Sequence, residues 1–293
     1  MIYCLENNFI TVKVKGIGAE LCSYIDRKTK REIIWQADPM HWKRHAPILF
    51  PIVGKVYNNS YKHENKNYEL SQHGFARDQE FKVFDQSNDS IILETIASEI
   101  TKELFPFDFN LKVKFSIFNK EVKVTYRVEN PSSKEIYFCI GAHPGFNCPF
   151  DNKSEFSDYE IKFDKTECSD RILLDENGFR TGKRTKDWLC GDTIKLHEAL
   201  FNEDALIFDD LKSTFLSIKS NKTIDEVKIG WNNYPHMGLW KPLKKAPLIC
   251  VEPWNGMADE SNAVGDFKNK YGVINLKPGN IFECFYTIEN IVK

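Results

Sequence analysis

The 293-residue chain carries no excess of charge of either sign: 40 basic residues stand against 42 acidic ones, a net charge of -2. Without a one-signed field there is no electrostatic basis for gathering nucleic acid or anionic lipid, so neither nucleic acid nor a membrane is expected as a partner. No apolar run approaches the roughly 18 residues that a membrane-crossing helix requires. The amino-terminal "MIYCLENNFITVKV" lacks the basic-then-apolar pattern of an export signal. None of the eight cysteines forms a C-x-x-C pair. With no export signal, free buried thiols in a reduced, cytoplasmic protein are the expectation. The glycine motifs that cradle nucleotides are missing, and so are the G-x-S-x-G elbow and the H-E-x-x-H zinc site. None of the seven histidines pairs at short range with an acid on one strand or helix face, and no metal is expected.

What the chain has in abundance is alternation of period two. In "FITVKVKG", Ile10, Val12 and Val14 share one face and Thr11, Lys13 and Lys15 the other. "SIILETIAS", "LKVKFSIF", "EVKVTYRVEN", "EIYFCIG", "DYEIKFD", "TFLSIKS", "EVKIGW" and "NIFECFYTIENI" fit the same half-buried strand pattern. Helical periodicity is confined to "SEITKELF" and "KTIDEV", and turn-forming clusters such as "QSNDS", "NPSSKE" and "DENGFRTG" separate the strands. Parallel crossovers would need helices that are not there. The reading is all-β: a large antiparallel β-sandwich, residues 1–293 forming one domain.

Chemistry gathers next to prolines. His143 precedes Pro144 in "GAHPGF" and Glu252 precedes Pro253 in "VEPW". A residue before proline is held extended. That restricts where its side chain points, as a catalytic group requires, but the same prolines could simply close a strand at a surface turn. In "SQHGFARDQEF", Gln72, His73, Arg77 and Asp78 crowd a turn at Gly74, with donors and acceptors suited to a hydroxyl-rich ligand or to a structural ion pair. Trp240 and Trp254 flank the Glu252 strand, and a tryptophan face can pack on the C–H side of a sugar ring; one of the two, Trp240, is assigned that role. Arg44, in the basic turn "HWKRH", is a further candidate for facing a ligand. His63, His197 and His236 are left as surface or packing residues.

Taken in order, "KRHAPILFPIVG", "SQHGFARD", "GAHPGFNCP", "GLWKP" and "CVEPWNGMAD" resemble the aldose 1-epimerase (mutarotase) family, and most closely its lactose-operon-associated branch. The motifs run from Lys43 to Asp259, and the flanking strands fit as well. The resemblance implies a large antiparallel β-sandwich with a sugar cleft. It implies interconversion of the anomers of a free aldose without metal or organic cofactor. A sugar is the expected partner, and the chain is expected to act as a monomer or homodimer. Motif by motif it implies His143 as general acid, Glu252 as general base, and His73 and Arg77 as sugar-binding residues. The family's substrate-binding aspartate is matched to Asp209 in "LIFDDL". The sequence departs from the galactose-specific branch at "FPIVG" and "GFAR", the second being closer to hexose-phosphate mutarotases. A sugar phosphate held by Lys43, Arg44 or Arg77 therefore stays open beside a free sugar.

Two other classes would use similar residues. A carbohydrate-binding module needs the aromatics but no acid–base pair. A glycosidase needs a second carboxylate across the scissile bond, for which Asp209 is the nominee. For a mutarotase, a carboxylate beside His143 is expected to raise its pKa and keep it charged near neutrality.

Overall fold

A computed structural model describes residues 1–243 and 245–291; the remaining positions of the 1–293 assignment lie outside the described residues. The alternating runs form a 15-stranded antiparallel sheet. Its order begins Ile48–Leu49, Ile140–Ala142, Leu248–Asn255, His236–Trp240, Leu206–Phe208 and Tyr159–Leu174. It continues through Phe215–Ser220, Glu226–Asn232, Ile281–Ile291, Glu121–Glu129, Asn110–Phe118, Ser90–Ile96 and Lys82–Gln86. Gly145–Asn147 pairs with the Leu248–Asn255 strand, and Arg180–Lys195 with Tyr159–Leu174. The fold is the all-β sandwich that the alternation implied.

Period two explains how the layers meet. In Glu121–Glu129, Val122, Val124, Tyr126 and Val128 are buried on one face and the residues between them are partly solvated. A separate three-stranded sheet of Ile2–Glu6, Ile10–Lys15 and Glu20–Asp26 sends Val12 and Val14 into the same core as Phe115, Val124 and Ile288. Polar ties fasten the two sheets. The Tyr24 hydroxyl donates to the Lys120 carbonyl and accepts from the Asn290 N–H at 3.1 Å. Each such buried aliphatic side chain contributes about 1.5–3 kcal/mol, more than any one hydrogen bond, so the apolar faces set the layering.

Of the two helical patterns, one holds and one changes. "SEITKELF" contains the α-helix Glu99–Leu104, capped by Ser98, which accepts from the Thr101 N–H while the Thr101 hydroxyl accepts from the Ser98 N–H. "KTIDEV" is no helix: Glu226 and Val227 begin a strand in which Val227 and Ile229 are buried between neighbours, and tertiary packing overrides a two-turn helical pattern. The strand Arg180–Lys195 shows no alternation, because it lies at the sheet's margin with most of its residues exposed. No helix among the described residues is long and apolar enough to cross a membrane.

Candidate active site

The Leu248–Asn255 strand is buried along its whole length, so both of its faces are covered. Ile249 and Val251 point into the main core, whereas Cys250, Glu252 and Trp254 belong to the other face. On the adjacent strand the register sets His236, Gly238 and Trp240 opposite Trp254, Glu252 and Cys250. Glu252 therefore sits mid-strand, not at the strand end suggested by Pro253. His143 sits at the break between Ile140–Ala142 and Gly145–Asn147, both of which pair with the Glu252 strand. Its N–H donates to the Pro47 carbonyl at 3.2 Å.

This arrangement brings His143 Nε2 to 3.1 Å from Glu252 Oε2, on the wall of a cleft of about 390 Å³. The volume suits a small molecule, for which pockets of about 300–1,000 Å³ are usual. His143 Nδ1 is buried without a partner, so Nε2 is the nitrogen through which the ring can exchange protons. Trp42 stacks on the imidazole, with centroids 4.8 Å apart and planes at 26°. Trp240 and His73 meet it edge-on at 5.6 Å each. Trp254 also lines the cleft, and its indole N–H is buried without a partner. Trp240, the tryptophan selected, thus faces the cleft, but so do Trp254 and Trp42, which sequence reasoning did not select.

The "SQHGFARD" turn reaches the same cleft. His73 and Gly74 both adopt positive φ, 67° and 70°. A β-carbon on Gly74 would fall 2.3 Å from the Phe50 carbonyl oxygen, so only glycine fits there. His73 Nδ1 accepts the Gly54 N–H at 3.1 Å. That bond leaves Nε2 as the protonated nitrogen, 3.3 Å from the Gln72 side-chain amide. Burial, then the neighbouring His143 and Arg77, hold the His73 pKa well below its ordinary value, so the ring is neutral. Arg77 donates to the Gln72 carbonyl at 2.6 Å, and Gln72, His73 and Arg77 all line the cleft.

Other expectations are corrected. Asp209 does not line the cleft. Its carboxylate takes both arms of Arg184 at 2.7 and 2.6 Å and the Tyr271 hydroxyl at 3.2 Å, and these bonds lower its pKa. The aspartate that does line the cleft is Asp204, at the opposite end of the Leu206–Phe208 strand. Without Asp209 the glycosidase reading loses its nominated second carboxylate. Arg44 does not line the cleft either, because Asp78 holds its guanidinium at 2.9 Å, and Lys43 lies beside it in a neighbouring groove. His236 is a packing residue whose Nδ1 accepts the Gly256 N–H at 3.3 Å. Five cysteines are buried, but Cys4, Cys168 and Cys190 are exposed.

The protonation expectation is overturned as well. Burial pushes His143 down to about 3, and nearby Arg77 and Arg44 act in the same direction. Burial, followed by the charge of Asp204, raises Glu252 well above the usual carboxylate range. Desolvation outweighs the attraction that was expected to keep His143 charged, because both partners have left water together. Burial thus favours the neutral form of each group, imidazole and carboxylic acid, over an ion pair across the 3.1 Å contact. Cys250 joins His143 and Glu252 in a compact cluster of metal-type donors, and a metal there would take up both members of the His143–Glu252 pair.

Residues 1–274 match the family described as aldose 1-epimerase. Protein LacX of Lactococcus lactis is 30% identical over 273 residues, covering 89% of this chain and 91% of the relative. A galactose mutarotase related enzyme from Lactobacillus acidophilus superposes with a TM-score of 0.92 at 34% identity, over 100% of this chain and 98% of that one. A galactose mutarotase-like protein from Lactobacillus casei gives 0.94 at 29% identity, over 99% and 100%. With the paired imidazole and carboxylate on the wall of an aromatic cleft, the chain belongs to the aldose 1-epimerase family.

Proposed function

We propose that this protein interconverts the α and β anomers of a free aldohexose by general acid–base ring opening and reclosure, with no cofactor. The observation that carries the reading is the 3.1 Å contact between His143 Nε2 and Glu252 Oε2 at the cleft. Ring opening requires the anomeric hydroxyl to lose a proton and the ring oxygen to gain one. With the pair's proton on His143, the Glu252 carboxylate takes the hydroxyl proton as the imidazolium delivers its own to the ring oxygen. The C1–O5 bond breaks and an aldehyde forms. The pair is then neutral imidazole and protonated Glu252, which is the form burial favours in the free protein. Rotation about C1–C2 and reclosure on the other aldehyde face return the proton to His143. One proton suffices throughout, and the substrate carries it between the two groups.

Each group can supply about 10²–10⁴-fold, adequate for a reaction that already proceeds unaided. Polarimetry on fresh α-glucose and α-galactose tests the reading. Wild type should accelerate equilibration, and Glu252→Gln and His143→Asn should each lose most of that acceleration. Full activity in both variants would remove the assignment. A second reading, a sugar phosphate as substrate, is favoured by the cationic Lys55, Arg77 and Arg180 at the cleft. Rates on glucose and galactose against their 6-phosphates separate the two.

A further inference from the structure

Away from the cleft, the long hairpin of Tyr159–Leu174 and Arg180–Lys195 carries a second set of chemically matched groups. Cys168 and Cys190 face each other across the ladder with their sulfurs 3.5 Å apart. Asp187 Oδ1 lies 3.2 Å from the Cys168 sulfur, and all three ligand atoms fall within 4.8 Å of one another. All three residues are exposed. Pairing slips between Ser169 opposite Leu189 and Arg171 opposite Thr185, so the Asp187 segment bulges from the ladder. Asp187 itself adopts φ 49°, an unfavourable conformation for a residue with a β-carbon. The bulge is what turns its carboxylate toward the two sulfurs.

We propose that Cys168, Cys190 and Asp187 form a surface site for one thiophilic divalent cation of the zinc class, with water at the fourth corner. Zinc–sulfur bonds of about 2.3 Å and zinc–oxygen bonds of about 2.1 Å at tetrahedral angles put sulfurs about 3.8 Å apart and sulfur and oxygen about 3.6 Å apart. The 3.5 and 3.2 Å found here need only a few tenths of an ångström of relaxation. A disulfide would need the sulfurs to close to about 2.05 Å. Binding replaces two S–H bonds with metal–thiolate bonds and releases two protons, with no change of oxidation state. The hairpin's turn supplies Glu176, Asn177 and Gly178 to the cleft wall, so a bound cation would fasten the strands that carry that wall.

The full chain, kept reduced with a phosphine, is titrated with zinc by calorimetry and with cadmium while the ultraviolet thiolate-to-metal charge-transfer band is followed. Wild type should bind one equivalent and show the band, and Cys168→Ser with Cys190→Ser should abolish both. Asp187→Ala should weaken binding by at least about tenfold, the loss that even outer-sphere partners cause. Zinc should also shield Cys168 and Cys190, but not exposed Cys4, from alkylation as read by peptide mass. The proposal fails if no band develops, if the double serine variant keeps its equivalent, or if zinc leaves both thiols as reactive as before.

Discussion

Gly238 lies directly across the ladder from Glu252, and a β-carbon on it would fall 2.6 Å from the Trp254 ring. The glycine leaves room for the indole beside the Glu252 carboxylate. Gly238→Ala should displace Trp254 and cost about 1–3 kcal/mol of stability through overpacking. Anomerase activity, followed by polarimetry, should fall at least about tenfold, since small misplacements of reacting groups are costly. A variant with wild-type rate would show that the indole position is irrelevant to the reaction.

Glu252→Gln should be slower and yet more heat-stable. Because the folded-state pKa of Glu252 is raised, the folded protein holds a proton the unfolded chain releases. Its contribution is fully favourable below about pH 4.5 and is lost as pH rises toward the raised value. Glutamine cannot ionise and still offers an N–H to His143. Thermal unfolding at pH 5 and pH 8 should show the variant's advantage growing with pH.

The rate should show no inflection at the ordinary histidine pKa near 6.5. A second proton enters the pair only as His143 titrates, near about 3. The single proton is lost only as pH climbs through the raised Glu252 value. After subtraction of spontaneous mutarotation, kcat/KM should be level across pH 6.5, and an acid limb centred there would contradict a desolvated pair. Stability has the opposite sensitivity: His73, His143 and His236 are held neutral by burial, so folding weakens as pH falls below about 6.5.

Asp204 and Asp209 should separate cleanly. On the proposed reaction, Asp204→Asn should lower kcat/KM by about tenfold or more through loss of an acceptor on the cleft wall, and should also move the alkaline limb. Asp209→Asn should leave kinetics unchanged and cost about 1 kcal/mol or less, as a partly exposed ion pair with Arg184 would. The reverse pattern would restore Asp209 to the substrate.

Legibility followed the periodicity. The nine runs read as strands all lie in strands, although "EIYFCIG" splits at Cys139 into Ile136–Phe138 and Ile140–Ala142, which belong to different sheets. The margin strand Arg180–Lys195 was invisible because exposure on both faces leaves no alternation to read. Asp204 and Asp209 bracket one short strand, Leu206–Phe208. Nothing local says which end meets the cleft. Trp42 went unselected because its role is a stacking contact with a residue a hundred positions away.

By itself the sequence determined the strands, the prolines and glycines that orient His143, His73 and Glu252, and the set of motifs that shares one family. Those are short-range properties, set by backbone sterics and by which faces are apolar. Tertiary structure alone decided which aspartate faces the cleft, that Arg44 and Asp209 are spoken for by Asp78 and Arg184, and that burial favours the neutral forms of His143 and Glu252. Each of those depends on how much water folding removes and which charge it leaves nearby, quantities that arise only when distant segments meet.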